Sequence, residues 1–230
     1  MNIQGLQKLT LLDFPGHTAC TVFTGGCNLR CPFCHNSPLV LTPAENIPVS
    51  EDEIFALLEK RRGILDGVAV TGGEPLLQKD IATFLEKIKK AGFLVKLDTN
   101  GSFPDRLAEI IRGGLADYIA MDIKNCREKY ALTCGIDKLD ISPIERSIDM
   151  IMAGGIGYEF RTTVVKEFHA PEDIGKIAQW IGGAENYFIQ AFKDSGALLS
   201  DGCSACSEED MRKMEEKAAP FVRNCSLRGI

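Results

Sequence analysis

The sequence predicts an α/β protein built as a partial (β/α)6 barrel. Short apolar or β-branched runs alternate with amphipathic segments that carry helix start signals. Near-continuous apolar runs are typical of parallel strands covered on both faces, and such alternation gives right-handed crossovers around a parallel sheet or barrel. Only six strands are predicted, which is too few for a complete eight-stranded barrel of about 250 residues. A partial barrel therefore fits better, with a flat doubly wound sheet as the alternative.

Each element has its own signal. In one predicted helix Ser50 is the N-cap and Glu53 completes a capping box. Another begins with Ser142 as N-cap and Pro143 at the first helical position. The remaining helices are predicted at Lys79–Lys90, Phe103–Arg112, Pro171–Trp180 and Ser207–Ala219. The predicted strands are Ala19–Phe23, Gly67–Val70, Phe93–Leu97, Tyr118–Met121, Phe160–Val165 and Tyr187–Ala191. We expect a partial-barrel domain over residues 1–192, with residues 193–230 forming a C-terminal helix and tail packed on it.

Composition restricts the classes of function. Hydrophobic residues make up 45% and charged residues 25%, as in ordinary globular proteins. The net charge of −6 lacks the basic surplus of a general phosphate-backbone binder, which argues against nucleic acid as a partner. No stretch approaches the ~18–20 apolar residues of a membrane span, and residues 1–10 lack an apolar signal core. We expect a cytoplasmic protein without a membrane partner.

The nine cysteines are an odd number in a chain that shows no export signal, so a disulfide framework explains them poorly. Cys27, Cys31 and Cys34 have the spacing C-x3-C-x2-C on the loop after the first predicted strand. Three thiolates are one fewer than a [4Fe–4S] cluster takes in four-cysteine ligation, so one iron would stay open. Zinc bound by the three thiolates with His35 or water is an alternative, as are unliganded thiols. The spacing favours the cluster.

Polar side chains follow the next three strands, where α/β folds place their chemistry. Gly72 and Gly73 indicate a tight turn or a close approach of the backbone to a ligand. Glu74 can accept a charge-assisted hydrogen bond from an amino group.

Charged residues that follow the third and fourth predicted strands match the chemical groups of a zwitterion such as an amino acid. Asp98 and Asp122 provide carboxylates for an ammonium group, and Lys124 provides a cation for a carboxylate. Helix capping by Asp98 or Asn100, with a solvated Lys124, is the alternative.

With these motifs the chain resembles the radical S-adenosylmethionine superfamily, and within it the glycyl-radical enzyme activating family. The paired signature is Cys27-x3-Cys31-x2-Cys34 with Gly72-Gly73-Glu74-Pro75. Further matching stretches are Thr24–Cys31, Cys34–Asn36, Leu97–Gly101 and Met121–Lys124. The resemblance implies the partial barrel of that superfamily, a [4Fe–4S] cluster on the three cysteines, and S-adenosylmethionine bound at its open iron.

The resemblance also implies a set of cofactor contacts. Backbone around Phe33 would face the adenine, and Gly72, Gly73 and Glu74 would position the methionine nitrogen. Asp98, Asp122 and Lys124 would orient the methionine end, with a monovalent cation near the two aspartates. Asn100 and Arg161 complete the implied cofactor-binding set.

The reaction implied is reductive cleavage of S-adenosylmethionine, with an electron from flavodoxin or ferredoxin and hydrogen abstraction from a glycine of a partner enzyme. The stretches Leu12–Gly16, Phe188–Lys193 and Leu227–Gly229 favour anaerobic ribonucleoside-triphosphate reductase over pyruvate formate-lyase as that partner. A carboxy-deazaguanine synthase and a non-catalytic iron–sulfur or zinc module remain open. Cys203, Cys206 and Cys225 receive no assigned role, because one C-x2-C pair is weak evidence for a metal.

Overall fold

The fold comes from a computed structural model of the chain. The structure describes residues 1–41, 48–194 and 196–230. The chain divides into two compact units. The first comprises Met1–Asn28, Pro38–Thr99 and Phe103–Ile119, and the second comprises Leu29–Ser37, Asn100–Ser102 and Ala120–Ile230. Within the described ranges, no helix has both the length and the apolar character needed to cross a membrane.

Four complete strands lie in the first unit, with their order following the chain. The first two pair antiparallel, and the second to fourth pair parallel. Helices connect the parallel strands, as right-handed crossovers require. The strands are β1 (Ile3–Thr10), β2 (Ala19–Thr24), β3 (Gly67–Gly72) and β4 (Leu94–Thr99). The helices are α1 (Ser37–Leu41), α2 (Glu51–Lys60), α3 (Ile81–Lys90) and α4 (Pro104–Arg112). The first residue of α1, Ser37, belongs to the second unit.

The second unit contains three complete strands that pair parallel, again in chain order. β5 (Tyr118–Asp122) contributes residues to both units. The other elements are α5 (Tyr130–Thr133), α6 (Ser142–Ala153), β6 (Gly157–Val164), α7 (Pro171–Trp180), β7 (Asn186–Ala191), α8 (Glu208–Ala218) and β8 (Asn224–Arg228).

The predicted α/β class is confirmed, and all six predicted strands are present. Their side chains explain why they were visible in the sequence: β2 is buried at every position except half-buried Phe23, and the first four residues of β3 are buried. The predicted N-cap at Ser50 is confirmed, since its side chain accepts a hydrogen bond from the Glu53 amide at 3.1 Å, which is one of the two bonds of a capping box.

Two strands were missed because they lack a continuous apolar run. β1 exposes Gln7, Lys8 and Leu9, and β8 has no buried residue. The short C-terminal segment therefore adds a strand beside β7 as well as the expected helix. The proposed division into residues 1–192 and 193–230 stays a prediction.

The predicted N-cap at Ser142 is wrong. Ile141 is the N-cap, and Ser142 is the first residue of α6. The Ser142 amide instead donates to Asp140 Oδ1 at 3.0 Å, so the capping oxygen comes from two residues upstream.

Candidate functional site

In the first unit, the loop after β3 packs directly against the backbone that leads to Cys27. The Gly73 amide donates to the Thr24 carbonyl at 2.9 Å, and the Glu74 amide donates to the Gly26 carbonyl at 2.8 Å. A Cβ atom on Gly73 would lie 1.9 Å from the Gly26 oxygen. Gly72 has a φ of +118°, which side chains rarely allow. Gly73 is therefore required by the close approach of two loops, and Gly72 by its backbone conformation and its contact with Thr24 at the end of β2.

Glu74 is buried within this first unit. Its side chain is 0% exposed, and Oε1 accepts hydrogen bonds from the Leu76 amide at 3.0 Å and the Thr99 hydroxyl at 2.8 Å. Thr99 ends β4, so this contact joins the loop after β3 to the end of the next strand. Sequence analysis assigned no role to Thr99, although it lies within one of the quoted family stretches.

Asp98 forms an ion pair with Lys96 on the same strand. The two residues are separated by one position and therefore share a face of β4. Lys96 lies within a predicted strand, and the structure shows that it is almost fully buried. Asp98 thus already has a cationic partner.

The second unit holds the other two cysteines of the motif. Cys31 is buried, and a hydrogen bond with the Cys134 thiol is the main reason that its pKa is lowered to about 7. The positive charge of Lys124 acts in the same direction. For Cys34, burial dominates and raises the pKa. Thiolate character is therefore favoured most at Cys31 of these two positions.

Asp122 lies between two cations. Its Oδ1 accepts from Arg161 Nε at 2.9 Å, and its Oδ2 is 3.1 Å from Lys124 Nζ. Burial alone would raise the pKa of Asp122, but Arg161 and Lys124 hold it well below its ordinary value. Burial alone would lower the pKa of Lys124, but Asp122 and the Cys31 sulfur raise it. Three predicted site residues are thus joined in one network.

This network continues to the C-terminal strand. Arg161 Nη1 is 3.8 Å from Glu159 Oε1, and buried Glu159 accepts two hydrogen bonds from Arg228, each 2.9 Å. The Arg228 guanidinium also lies 3.3 Å from the centre of the Phe188 ring. Sequence analysis missed Glu159 because a charged residue inside a strand gives no motif.

Asn100 and Phe33, two further predicted site residues, lie in the second unit. Asn100 Oδ1 accepts from the Ser102 amide at 2.9 Å in an Asx turn. Helix capping by Asn100 is wrong, because Phe103 is the N-cap of α4. Phe33 is buried, with its ring centre 5.9 Å from Phe168 and 6.3 Å from His169. His169 Nε2 lies 2.8 Å from the Lys124 carbonyl oxygen, so this buried ring supports the loop that carries Lys124.

The cysteines outside the motif differ in environment. Burial raises the pKa of Cys206 to about 11 and that of Cys225 to about 12, and it also raises the pKa of Cys203. Across the described ranges, no three His, Cys, Asp or Glu side chains are gathered as ligands of one metal ion.

The donor set nevertheless fits an iron–sulfur cluster by its chemistry. Three cysteines that form no disulfide, Cys27, Cys31 and Cys34, lie on one short stretch of chain, and the pKa of Cys31 is lowered. Thiolates are the usual ligands of iron–sulfur clusters. Adjacent His35 stacks on Phe192 with a centroid distance of 5.2 Å, an orientation fixed by ring packing.

Comparison with known proteins identifies the family. Residues 21–181 match the Radical SAM superfamily. A Methanocaldococcus jannaschii protein named "Putative glycyl-radical enzyme activating enzyme" is 31% identical over 239 residues, covering 99% of this chain and 96% of the relative. The 7-carboxy-7-deazaguanine synthase of Halobacterium salinarum is 35% identical over 214 residues, covering 93% of this chain and 79% of the relative.

A solved structure supports the fold assignment. The crystal structure of Streptococcus suis SuiB bound to S-adenosylmethionine superposes with a TM-score of 0.69 at 12% identity, covering 89% of this chain and 48% of that chain. The superfamily implies a [4Fe–4S] cluster and S-adenosylmethionine as cofactors. On this evidence the chain belongs to the radical S-adenosylmethionine superfamily and is an enzyme of its glycyl-radical enzyme activating family.

Proposed function

We propose that this enzyme installs a glycyl radical in a partner enzyme, and that the partner is anaerobic ribonucleoside-triphosphate reductase. The observation that carries the proposal is the combination of the three-cysteine loop with a near full-length match to a glycyl-radical enzyme activating relative. The placement of the Cys31 sulfur beside Lys124 adds support, because a cation there favours the thiolate needed as a ligand.

Cys27, Cys31 and Cys34 would hold the cluster. When bound, the cluster and S-adenosylmethionine supply a one-electron cleavage that yields methionine, 5′-deoxyadenosine and a glycyl radical on the partner. The buried Glu74 carboxylate would accept from the methionine ammonium group. Lys124, oriented by Asp122, would pair with the methionine carboxylate.

Further parts of the proposal concern the surroundings of the reaction. Flavodoxin or ferredoxin would donate the electron, and the reaction would take place in the cytoplasm, where reducing conditions suit nine cysteines of which none forms a disulfide. A monovalent cation near Asp98 and Asp122 remains a prediction. Each of these aspartates already pairs with a side-chain cation in its own unit.

Anaerobic reconstitution tests the cofactor assignment. The reduced protein with S-adenosylmethionine is expected to release methionine and 5′-deoxyadenosine. Cys31→Ala should lose bound iron and sulfide, whereas Cys206→Ala should retain both. Normal iron and sulfide content in Cys31→Ala would contradict the ligand assignment.

Mixing experiments test the partner. The loaded enzyme, a reductant and S-adenosylmethionine are added to the reductase or to pyruvate formate-lyase, and the electron paramagnetic resonance doublet of a glycyl radical is recorded. We expect the doublet with the reductase. A doublet only with pyruvate formate-lyase would overturn the choice of the reductase and identify the enzyme as a pyruvate formate-lyase-type activator.

A second candidate function follows from the match to 7-carboxy-7-deazaguanine synthase. That reading predicts product formation from a small heterocyclic substrate without any partner protein. Incubation of the loaded enzyme with heterocyclic compounds and S-adenosylmethionine, analysed for 7-carboxy-7-deazaguanine by mass spectrometry, separates the two functions.

A further inference from the structure

We propose that Arg228 is a positioning residue that controls the binding of a carboxylate ligand by neutralising the buried acid Glu159. Without this partner, Glu159 would compete with Asp122 for Arg161. The inference rests on the proposed function, in which Lys124 pairs with the methionine carboxylate. It gives a purpose to the C-terminal strand β8, which the three-cysteine motif does not require.

Arg228, Arg161 and Glu159 lie on one face of the sheet in the second unit. Glu159 and Arg161 are two positions apart in β6 and therefore point to the same side. Arg161 pairs with Phe188 of β7. Two residues further along β7, Gln190 pairs with Arg228 of β8. Because paired residues of parallel strands share a face and side chains alternate with a period of two, the three charged side chains are brought to the same side.

Two arginines contact Glu159, and the contact with Arg228 is the stronger. Glu159 is 1% exposed, and Arg228 donates to each of its two carboxylate oxygens at 2.9 Å. Arg161 Nη1 lies 3.8 Å from Oε1 of the same carboxylate. The bidentate pair combines two charge-assisted hydrogen bonds, so Arg228 is the main counter-charge of Glu159. The Arg228 guanidinium is also held over the Phe188 ring, 3.3 Å from its centre.

The closer acid of Arg161 is Asp122. Arg161 Nε donates to Asp122 Oδ1 at 2.9 Å, which is shorter than its contact with Glu159. The other oxygen of Asp122 lies 3.1 Å from Lys124 Nζ. If Glu159 lost Arg228, it would attract Arg161 more strongly. Asp122 would then pair mainly with Lys124, and the lysine charge would be compensated before a ligand arrives.

The five side chains form a charge network with one positive charge in excess. Its cations are Lys124, Arg161 and Arg228, and its carboxylates are Asp122 and Glu159. An excess of one cation matches a ligand that carries a single carboxylate. Removal of Arg228 abolishes the excess, whereas removal of Glu159 together with Arg228 restores it. No member is more than 34% exposed at its side chain, so solvent screens these charges less than surface charges.

The test measures the affinity of reconstituted wild type and variants for S-adenosylmethionine by equilibrium dialysis. Arg228→Gln should weaken binding about tenfold, because the network loses its excess positive charge. Glu159→Gln/Arg228→Gln should bind within about threefold of wild type, because the excess is restored although both partners of the bidentate pair are gone. Arg228→Lys keeps the charge without the two-point contact and should lie between wild type and Arg228→Gln.

Arg223→Gln is the matched control. Arg223 directly precedes β8, is 72% exposed at its side chain and lies 3.9 Å from Glu185. Its substitution removes the same charge from the same end of the chain without touching the charge network, and affinity should stay at the wild-type value. Equal weakening in Arg223→Gln and Arg228→Gln would assign the effect to the net charge of the protein and overturn the inference.

The double variant separates control of charge from simple anchoring of β8. It lacks both the bidentate pair and the contact of Arg228 with Phe188, so an anchoring role predicts binding at least as weak as in Arg228→Gln, and that result would refute the inference. The comparison of the double variant with wild type suffices even where a buried, poorly paired Glu159 makes Arg228→Gln too unstable to purify.

Failure of the inference can be told apart from failure of the proposed function. If wild-type protein binds and cleaves S-adenosylmethionine but affinity does not follow the charge of the network, only the role of Arg228 is lost. If wild-type protein loads a cluster and binds no S-adenosylmethionine, both the inference and the proposed function fall.

Discussion

Glu74 in the first unit and Asp122 in the second are acidic residues beside strand ends, yet different forces hold them. Glu74 is fully buried and is oriented by neutral donors, the Leu76 amide and the Thr99 hydroxyl. Asp122 is 33% exposed at its side chain and lies between Arg161 and Lys124. One carboxylate is fixed by directional hydrogen bonds and the other by charge.

The difference assigns each region a distinct part in binding a zwitterion. The Leu76 amide and the Thr99 hydroxyl orient the Glu74 carboxylate, and in the proposed function it would accept from an ammonium group. The charge of Asp122 is already balanced, and its use is to hold Lys124 and Arg161 in place. The contrast predicts different responses to mutation, pH and salt.

The largest effect is expected from Gly73→Ala, which disrupts the packing of the loop after β3 against the Gly26 backbone. The new Cβ would meet the Gly26 oxygen at 1.9 Å, so the two loops must separate. We expect a loss of about 3 kcal/mol or more in the free energy of unfolding, together with loss of cluster loading. Urea denaturation and iron analysis measure these effects.

Gly175→Ala provides the control for that experiment. Its Cβ would lie 3.6 Å from Lys217 Cβ in ordinary contact, on the interior of α7. This substitution should leave stability unchanged or raise it by less than about 1 kcal/mol. Equal stability losses in both variants would contradict the role of loop contact at Gly73.

Asp122→Asn should give the next largest effect, because it leaves Arg161 and Lys124 without their shared anion. We expect a loss of about 1–3 kcal/mol in the free energy of unfolding near pH 7. The pKa of Asp122 is lowered in the folded protein, so its stabilisation is present above the unfolded value of about 3.9 and is lost as pH falls. The wild-type advantage should therefore shrink as the pH drops below about 4.

Urea denaturation of the cluster-free protein at about pH 7 and about pH 3.5 measures this dependence. Glu209→Gln is the control, since Glu209 pairs with Lys213 on an exposed helix face and should contribute less than about 0.5 kcal/mol. A difference between wild type and Asp122→Asn that grows on acidification would refute the charge-based account.

Glu74→Gln should affect ligand binding more than stability. The amide oxygen can still accept from Leu76 and Thr99, so unfolding should change by no more than about 1 kcal/mol. Removal of the charge should weaken binding of S-adenosylmethionine to the reconstituted protein by about tenfold, as measured by equilibrium dialysis. Thr99→Val should show the opposite pattern, with a larger loss of stability and a smaller loss of affinity.

The smallest effect concerns salt. At about 1 M salt the screening length falls to about 3 Å, which weakens interactions that solvent can reach. The stability difference between wild type and Asp122→Asn should decrease, whereas that between wild type and Thr99→Val should not. Parallel responses would mean that the two regions are held by the same kind of force.

Buried parallel strands could be predicted from the sequence, whereas the edge strands and the contacts between loops could not. The parallel strands and the α/β class were predictable because burial on both faces leaves an apolar run, as in β2. The strands β1 and β8 were missed because exposed edge strands carry polar residues. The cofactor role predicted for Gly72 and Gly73 stays a prediction, and the structure shows that a Cβ on Gly72 would meet the Thr24 backbone and one on Gly73 the Gly26 backbone.

By itself the sequence determined where the reactive groups stand along the chain: three thiols at fixed spacing, and polar residues after successive strands. Chain order can determine this because a strand end and the loop after it are local features. Only the tertiary structure decided which side chains meet, including Arg228 with Glu159 and Thr99 with Glu74. Those partners are separated by 25 or more residues, and their contact depends on how burial and charge are satisfied in the folded chain.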